Sequence, residues 1–395
     1  MRVLYVTSGF PYPLTSGYLR HYHLANALAR AGHQITLASL IGQATSPADI
    51  AEMEASVSRV ITARRMRHRV GRTGRRFAEL AGVVPAEDVR TLVRAIRRSE
   101  SQYDVAVVSG KRTAPVLDAI DPRVPVIVDL CDATSQRLEG MAATMRGLDR
   151  RRTLLELRHV QRAERRLVGR ASILLVASER DRSAMVASGV ESSTLVVLPN
   201  GVDANYWQRQ SDALHPGVIV MSGVMSYEPN ADAARTLLRD VLPIVRASLP
   251  TTRLVLVGRD PDPELQAASR NDPGVDVTGF VDDVRPYLEQ ATVFAAPLRF
   301  GAGIQNKVLE AMSMALPAVT SSLAAQGLAI DGAHAPVGVA DDSDSFARHL
   351  VDALRRAQEN SRPDSRGRDY VVQRFSWERS GARLADLLEQ AIAAR

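Results

Sequence analysis

Short runs with almost no polar residue alternate along this chain with longer stretches in which apolar positions recur every three or four residues. Runs that lack a polar face suit parallel strands covered on both sides, and the longer stretches have the period of amphipathic helices. In the first half this pattern predicts strands at residues 3–7, 34–40, 104–109, 124–129, 172–177 and 194–198. A second series runs through 218–222, 253–257, 275–278, 293–296, 318–320 and 336–339. Helices are predicted between them, notably at 17–31, 153–168, 231–247 and 304–315. Strand and helix in regular alternation give an α/β fold in which each sheet is wound with helices.

Two complete series imply two doubly wound domains. The first is expected over residues 1–200 and the second over 201–375, with 376–395 forming a helix that packs back on the first domain. A chain of 395 residues exceeds one ordinary core, which agrees with this division. Sheets of this kind bind ligands at the carboxyl ends of their strands, so a cleft between the two domains is the expected site.

Composition narrows the class. Hydrophobic residues make up 45% and charged residues 24%, as a soluble globular protein requires. The single cysteine, Cys131, rules out an internal disulfide framework and a cysteine-based structural zinc site, which favours a reducing cytoplasm. No signal peptide is evident, and no apolar run approaches the roughly 20 residues of a membrane span. The protein is therefore expected in the cytoplasm, free or peripheral to the inner face of the membrane.

The formal charge of +6 is unevenly spread. From Arg59 to Arg76 no acidic residue interrupts the arginines, and a second basic stretch covers 146–170. Two readings stand: attraction to anionic lipid headgroups or an anionic acceptor, and a solvated Arg-rich loop and helix face. Nucleic acid is disfavoured, because the basic residues are not interleaved with aromatics and no reader motif is present.

Four stretches carry chemistry. Residues 7–17, TSGFPYPLTSG, lead from a strand to a helix through a Gly- and Pro-rich loop that turns helix-start amides toward an anionic or hydroxyl-rich ligand. Gly17 shapes that loop, and Tyr18, Arg20 and His21 stand in the first helical turn with side chains that could reach a cleft; the plain alternative is a turn glycine and surface side chains. Residues 198–203, LPNGVD, place Asn-Gly after a strand, a turn with positive φ at the domain junction. In the second domain, Gly223 follows the first strand and leads through YEPN into a helix capped by Asn230. The arrangement recurs at Gly258 with Arg259, which could face phosphate, and at 278–283, TGFVDD. Three strand ends closing on glycine and polar residues are the usual construction of a nucleotide pocket.

The fourth stretch, residues 297–312, reads PLRFGAGIQNKVLEAM. Gly301 and Gly303 let backbone approach phosphates, and the helix after them aims its N-terminal dipole at the same point. Lys307, one helical turn in, could neutralise a diphosphate. Glu310 lies on the same face and could accept ribose hydroxyls. The plain alternative is a Lys–Glu surface pair.

On these residues the chain resembles the large retaining GT-B glycosyltransferase family that includes bacterial lipopolysaccharide and mannosyl transferases. The similarity runs over nearly the whole chain, through LANALARAGHQITLAS, LPNGVD, LVGRDPDPEL, VTGFVDDVRPYL and GAGIQNKVLEAMSMALPAVTS. MSYEPNADA and GIQNKVLEAM resemble the sugar transferases of exopolysaccharide and similar clusters. The resemblance implies two Rossmann-like domains facing each other across a cleft. An NDP-sugar donor would sit on the C-terminal domain and a hydroxyl-bearing acceptor (glycan, lipid-linked or small molecule) on the N-terminal one. A hexose would be transferred with retention and without cofactor or metal, in bacterial polysaccharide or natural-product synthesis. By this resemblance Glu310 would bind the ribose, Phe280 and Val281 would lie by the base, and Lys307 with Arg259 would hold the diphosphate. Gly223, Asn230, Gly258, Gly303, Ile304, Gln305 and Asn306 would line the donor, and Gly17, Tyr18, Arg20, His21 and Asp132 would serve the acceptor.

Three departures stand out. Ala302 occupies the position eight before Glu310, where the family often has a sugar-contacting Glu. The family's Lys after the first glycine of the C-terminal domain is replaced by YEPN. Ser109-Gly-Lys111 does not supply the His often found in the first domain's active site. A different GT-B enzyme such as a nucleotide-sugar epimerase is one alternative; a non-catalytic sugar-nucleotide-binding subunit, which the missing Glu and Lys make plausible, is another.

Overall fold

The structure, a computed structural model, describes the chain except residues 14–17, 43–44, 65–86, 100–101, 132–133, 212–214, 216, 302, 360–362 and 395. It divides into two compact units, Met1–Gly201 with Trp377–Arg395, and Val202–Ser376.

The first unit contains β1 (Arg2–Thr7), α1 (Leu19–Arg30), β2 (Gln34–Ile41), α2 (Pro47–Ser56), β3 (Arg59–Arg64), α3 (Glu87–Arg98), β4 (Val105–Ser109) and a 3₁₀ helix (Lys111–Ala119). It continues with β5 (Val126–Cys131), α4 (Thr134–Thr144), α5 (Gly147–Val168), β6 (Ile173–Val176), α6 (Glu179–Ala187) and β7 (Leu195–Val197). Among the described residues the strands form a parallel seven-stranded sheet in the order β3-β2-β1-β4-β5-β6-β7. The chain reverses its direction of winding between β1 and β4, the topological position where α/β sheets bind ligands.

Alternate residues of a strand face opposite sides of its sheet, and β1 is buried on both. Its Leu4 and Val6 join one buried cluster, while Val3 and Tyr5 join another on the far face. That second face is completed by α15 (Trp377–Ala393), whose Leu384, Leu387 and Leu388 pack with Leu24 and Leu28 of α1. Gly381 makes the approach possible, since a Cβ there would lie 2.2 Å from Ala27 Cβ.

The strand β3 corrects the expectation of a loop or helix face from Arg59 onward. It alternates, with Ile61 and Ala63 buried and Arg59 and Arg64 exposed, and pairs in parallel with β2. Charged side chains are tolerated on a sheet edge, and they masked the apolar alternation. The rest of the basic stretch, 65–76, and with it most of the proposed lipid contact, lies outside the described residues.

The second unit begins with β8 (Val218–Ser222), α7 (Glu228–Thr236), a π-helical turn (Leu237–Val241), α8 (Leu242–Ser248), β9 (Arg253–Val257) and α9 (Pro263–Asn271). It continues with β10 (Val275–Gly279), α10 (Arg285–Glu289), β11 (Val293–Ala296), α11 (Asn306–Ser313), β12 (Ala318–Thr320), α12 (Ser322–Gly327) and β13 (Gly338–Val339), then α13 (Ser343–Glu359) and α14 (Arg366–Arg374). Its described strands form a parallel sheet in the order β10-β9-β8-β11-β12-β13. The helix expected over 231–247 is broken by the π turn ahead of Pro243, whose missing N–H interrupts the regular ladder. Residues 198–203 carry no positive-φ turn, since neither Asn200 nor Gly201 has a positive φ.

Candidate functional site

In the second unit, β8 and β9 run in register to Ser222 and Val257, and each then enters glycine. Gly223 and Gly258 have φ of +151° and +152°, and a Cβ on Gly258 would lie 1.7 Å from the Gly223 carbonyl oxygen. Only glycine lets the two strand-end loops touch through bare backbone. Met225 N–H donates to the Arg259 carbonyl at 2.9 Å, tying the loops together.

Asn230 is not a helix cap. Tyr227 holds the N-cap position of α7, with Pro229 in the first turn, and Asn230 is the helix's third residue. Proline suits the first helical turn, which moves the helix start upstream of Asn230. The buried carboxamide donates from Nδ2 to Val224 O at 3.0 Å and accepts from Lys307 Nζ at Oδ1. A Cβ on Gly223 would lie 2.6 Å from Nδ2, so the amide is packed directly beneath the glycine turn.

Lys307 comes from α11, which starts at Asn306 with Gln305 at the N-cap making no side-chain cap bond. Lys307 therefore stands in the first turn rather than one turn in. Gly301 (φ +151°) and Gly303 (φ +71°) shape the preceding loop, with Ile304 partly buried behind it, and a Cβ on Gly327 of α12 would lie 3.0 Å from Gly303 O. Desolvation brings Lys307 down to about 8 against the pull of Glu310, and pushes Glu310 up to about 7 against the pull of Lys307. Both groups thus titrate near neutrality, which is common where charge is put to chemical use.

The other donor-side residues are arranged more loosely. Arg259 is exposed, with Nε 3.9 Å from Asp260. Phe280 comes directly after β10 and is 71% exposed, whereas Val281 packs on the core. Sequence reasoning missed the pair formed by Asp232 of α7 and Arg299 ahead of the glycine loop, with Nε to Oδ2 at 2.7 Å. An Asp inside an alanine-rich helix start was the available signal.

In the first unit, Gly17 and Asp132 lie outside the described residues. Tyr18 is the N-cap of α1 without a side-chain cap bond, and its ring lies over Gly9, where a Cβ would come within 2.2 Å. Arg20 and His21 turn inward instead of reaching out; each is only 6% exposed. Arg20 Nε donates to Asp129 Oδ2 at 2.8 Å and Nη1 to Asn200 Oδ1 at 2.9 Å, while Nη2 has no partner among the described residues. His21 Nε2 shares a hydrogen bond with Ser109 Oγ at 3.0 Å, and Nδ1 lies 3.5 Å from Tyr5 OH.

Burial brings His21 down to about 4, so it is neutral at physiological pH. Burial alone would raise Asp129, but the charge and hydrogen bond of Arg20 hold it below the ordinary carboxylate range. Asp129, Asn200 and Ser109 are site residues that sequence reasoning missed. The signal was there in Asp129, a carboxylate at the end of an otherwise apolar strand that burial forces to find a cation.

Among the described residues no cluster of three or more His, Cys, Asp or Glu is arranged to hold a metal ion, and no helix is long and apolar enough to cross a membrane.

Two family models match the chain in sequence. The glycosyl transferase 4-like domain covers residues 18–201, and glycosyl transferases group 1 covers residues 216–356. A curated relative, the GDP-mannose-dependent alpha-(1-6)-phosphatidylinositol monomannoside mannosyltransferase of Mycolicibacterium smegmatis, is 27% identical over 257 residues. The matched stretch is 59% of this chain and 66% of that relative. Sucrose-phosphate synthase from Thermosynechococcus elongatus superposes with a TM-score of 0.74 at 16% identity, over all of both chains. Anabaena Alr3699/HepE in complex with UDP-glucose gives 0.69 at 14% identity, over 99% of this chain and 100% of that one. With one glycosyltransferase model on each half and this shared fold along its whole length, the chain belongs to the GT-B glycosyltransferases.

Proposed function

We propose that the protein transfers a hexose from an NDP-sugar to an acceptor hydroxyl with retention of configuration, without metal or cofactor, in bacterial polysaccharide or natural-product synthesis. The observation that carries this reading is the meeting of the Gly223 and Gly258 turns with the Lys307 ammonium seated on Asn230. Bare backbone and a fixed cation at the carboxyl ends of parallel strands suit a diphosphate. GDP-mannose and UDP-glucose, named with a relative and a structural neighbour, support a nucleoside diphosphate as the handle of the donor.

In this reading Lys307 stabilises the departing diphosphate, the start of α11 adds its dipole, and Arg259 reaches the phosphates from the edge. Glu310 accepts the ribose hydroxyls, and Phe280 with Val281 lies by the base. The leaving phosphate takes the acceptor proton on the same face of the sugar, so no protein base is required. Tyr18 and the loop before it serve the acceptor. Arg20 and His21 act there by holding the ends of β1, β4 and β5 in place, since their side chains are buried.

A thermal-shift panel of UDP-, GDP-, dTDP- and ADP-sugars tests the reading, because a ligand held by the folded state raises the melting temperature by mass action. At least one nucleotide is expected to give a clear shift, and NMR of the product should show the donor's anomeric configuration kept. A panel with no shift at all would remove the donor site. Turnover of the sugar nucleotide without any acceptor would favour the epimerase alternative.

A further inference from the structure

We infer that Asn230 is a positioning residue, whose carboxamide oxygen seats the Lys307 ammonium beside the crossed glycine turns without cancelling its charge. The inference rests on the donor reading above.

Three observations carry it. The amide is fixed from both ends: Nδ2 donates to Val224 O at 3.0 Å, Oδ1 accepts from Lys307, and its 8% exposure leaves it no room to swing. It is packed against Gly223, so whatever is bonded to Oδ1 is held close to the β8 and β9 ends. The remaining charged side chains of α7 are paired with opposite charge. Asp232 takes Arg299, while Arg235 sits between Glu228 at 2.7 Å and Asp262 at 2.8 Å. Lys307 alone is met by a neutral acceptor from this helix.

The difference has a physical consequence. A lysine side chain has many rotamers to lose on being fixed. A partner that holds it before the substrate arrives removes that cost from binding. A carboxylate would hold it as well but would neutralise it, and a phosphate would then meet an ion pair instead of a free charge. An amide oxygen holds the ammonium and leaves the charge for the ligand. The free ammonium is thus delivered from α11 and aimed by α7.

The test uses the full-length protein with UDP and GDP as probes, and uridine and guanosine as their phosphate-free counterparts. Affinities for the diphosphates come from calorimetry and those for the nucleosides from ligand-observed NMR. Asn230→Asp keeps the oxygen and the volume but adds the charge, and Asn230→Ala removes the seat. Both are expected to weaken the bound diphosphate about tenfold or more while changing nucleoside affinity less than about twofold. The double variant Asn230→Ala/Lys307→Ala should bind the diphosphate no worse than Lys307→Ala alone, since the two residues act as one.

If Asn230→Ala fails to fold, Asn230→Asp carries the measurement. Wild-type diphosphate affinity in Asn230→Asp, or losses that simply add in the double variant, would overturn the inference while leaving the donor reading intact. Wild-type protein that binds neither diphosphate would overturn both.

Discussion

Each unit sets a buried or half-buried cation at the carboxyl end of a parallel sheet, and the two cations are treated in opposite ways. In the first unit Arg20 is bonded to Asp129, its charge is cancelled on the spot, and the neighbouring His21 is kept neutral. In the second, Lys307 is bonded to an amide, and the carboxylate of Glu310 acts on it through space. A cation matched by a carboxylate holds its own unit together. One held by a neutral oxygen is left ready for an anion from outside.

Removing each cation in turn puts this contrast under the heaviest load. Arg20→Ala leaves Asp129 buried without its partner, which should lower the stability of the first unit by about 3–5 kcal/mol. Urea unfolding followed by Trp377 fluorescence, with Trp207→Phe to silence the other tryptophan, reads that unit alone. A loss below about 1 kcal/mol would mean that the Arg20–Asp129 pair does not hold the unit together.

Lys307→Ala is the mirror image. It should lower kcat/KM about 10²–10³-fold, the usual cost of deleting one fixed electrostatic stabiliser, while the melting temperature stays within a few degrees. Acceptor-dependent transfer that survives at the wild-type rate would move the donor site elsewhere.

The two units should also part company with pH. His21 titrates near 4 when folded and near 6.5 when unfolded, so between these values the unfolded state binds more protons. Stability of the first unit should therefore fall by about 3 kcal/mol as pH drops through that window. The slope should flatten in His21→Asn, provided the Ser109 contact is kept. Asp129, held below its ordinary range, adds its own loss only at lower pH still.

In the second unit the sign concerns binding. Lys307 must carry its proton to meet phosphate, so kcat/KM should decline above about pH 8, tenfold per unit at the limit. Lys307→Ala should show no such limb. A flat profile from pH 7 to 9.5 in the wild type would separate Lys307 from the phosphates.

Much of the architecture was legible before any coordinate. The strands of both series lie within two residues of where apolar runs placed them, because a strand buried on both faces has almost no choice of residue type. The strand β3 was missed for the opposite reason: an edge strand tolerates charge, and Arg59 and Arg64 hid an alternation of only two buried residues. Asn230 was misplaced by one rule outranking another. Asparagine favours the cap, but Pro229 claimed the first turn and pushed the asparagine into the helix. Arg20 and His21 were expected to reach into a cleft, or else to lie at the surface, because helix position says which face a side chain is on, not what lies opposite.

The period of each segment, the order of strands and helices, and the glycines at strand ends are properties of neighbours along the chain, and the amino-acid order alone dictates them. The shared helix face of Lys307 and Glu310 belongs with these. The partner of each charge does not, because it comes into being only when the strands and helices within a unit pack. Lys307 meets Asn230 across 77 residues, Arg20 meets Asp129 across 109, and Arg20 meets Asn200 across 180. Hydrogen bonds and ion pairs act within a few ångströms. Which side chains come that close is set by how sheets and helices pack, and so is the division between a cation spent on the fold and one kept for a ligand.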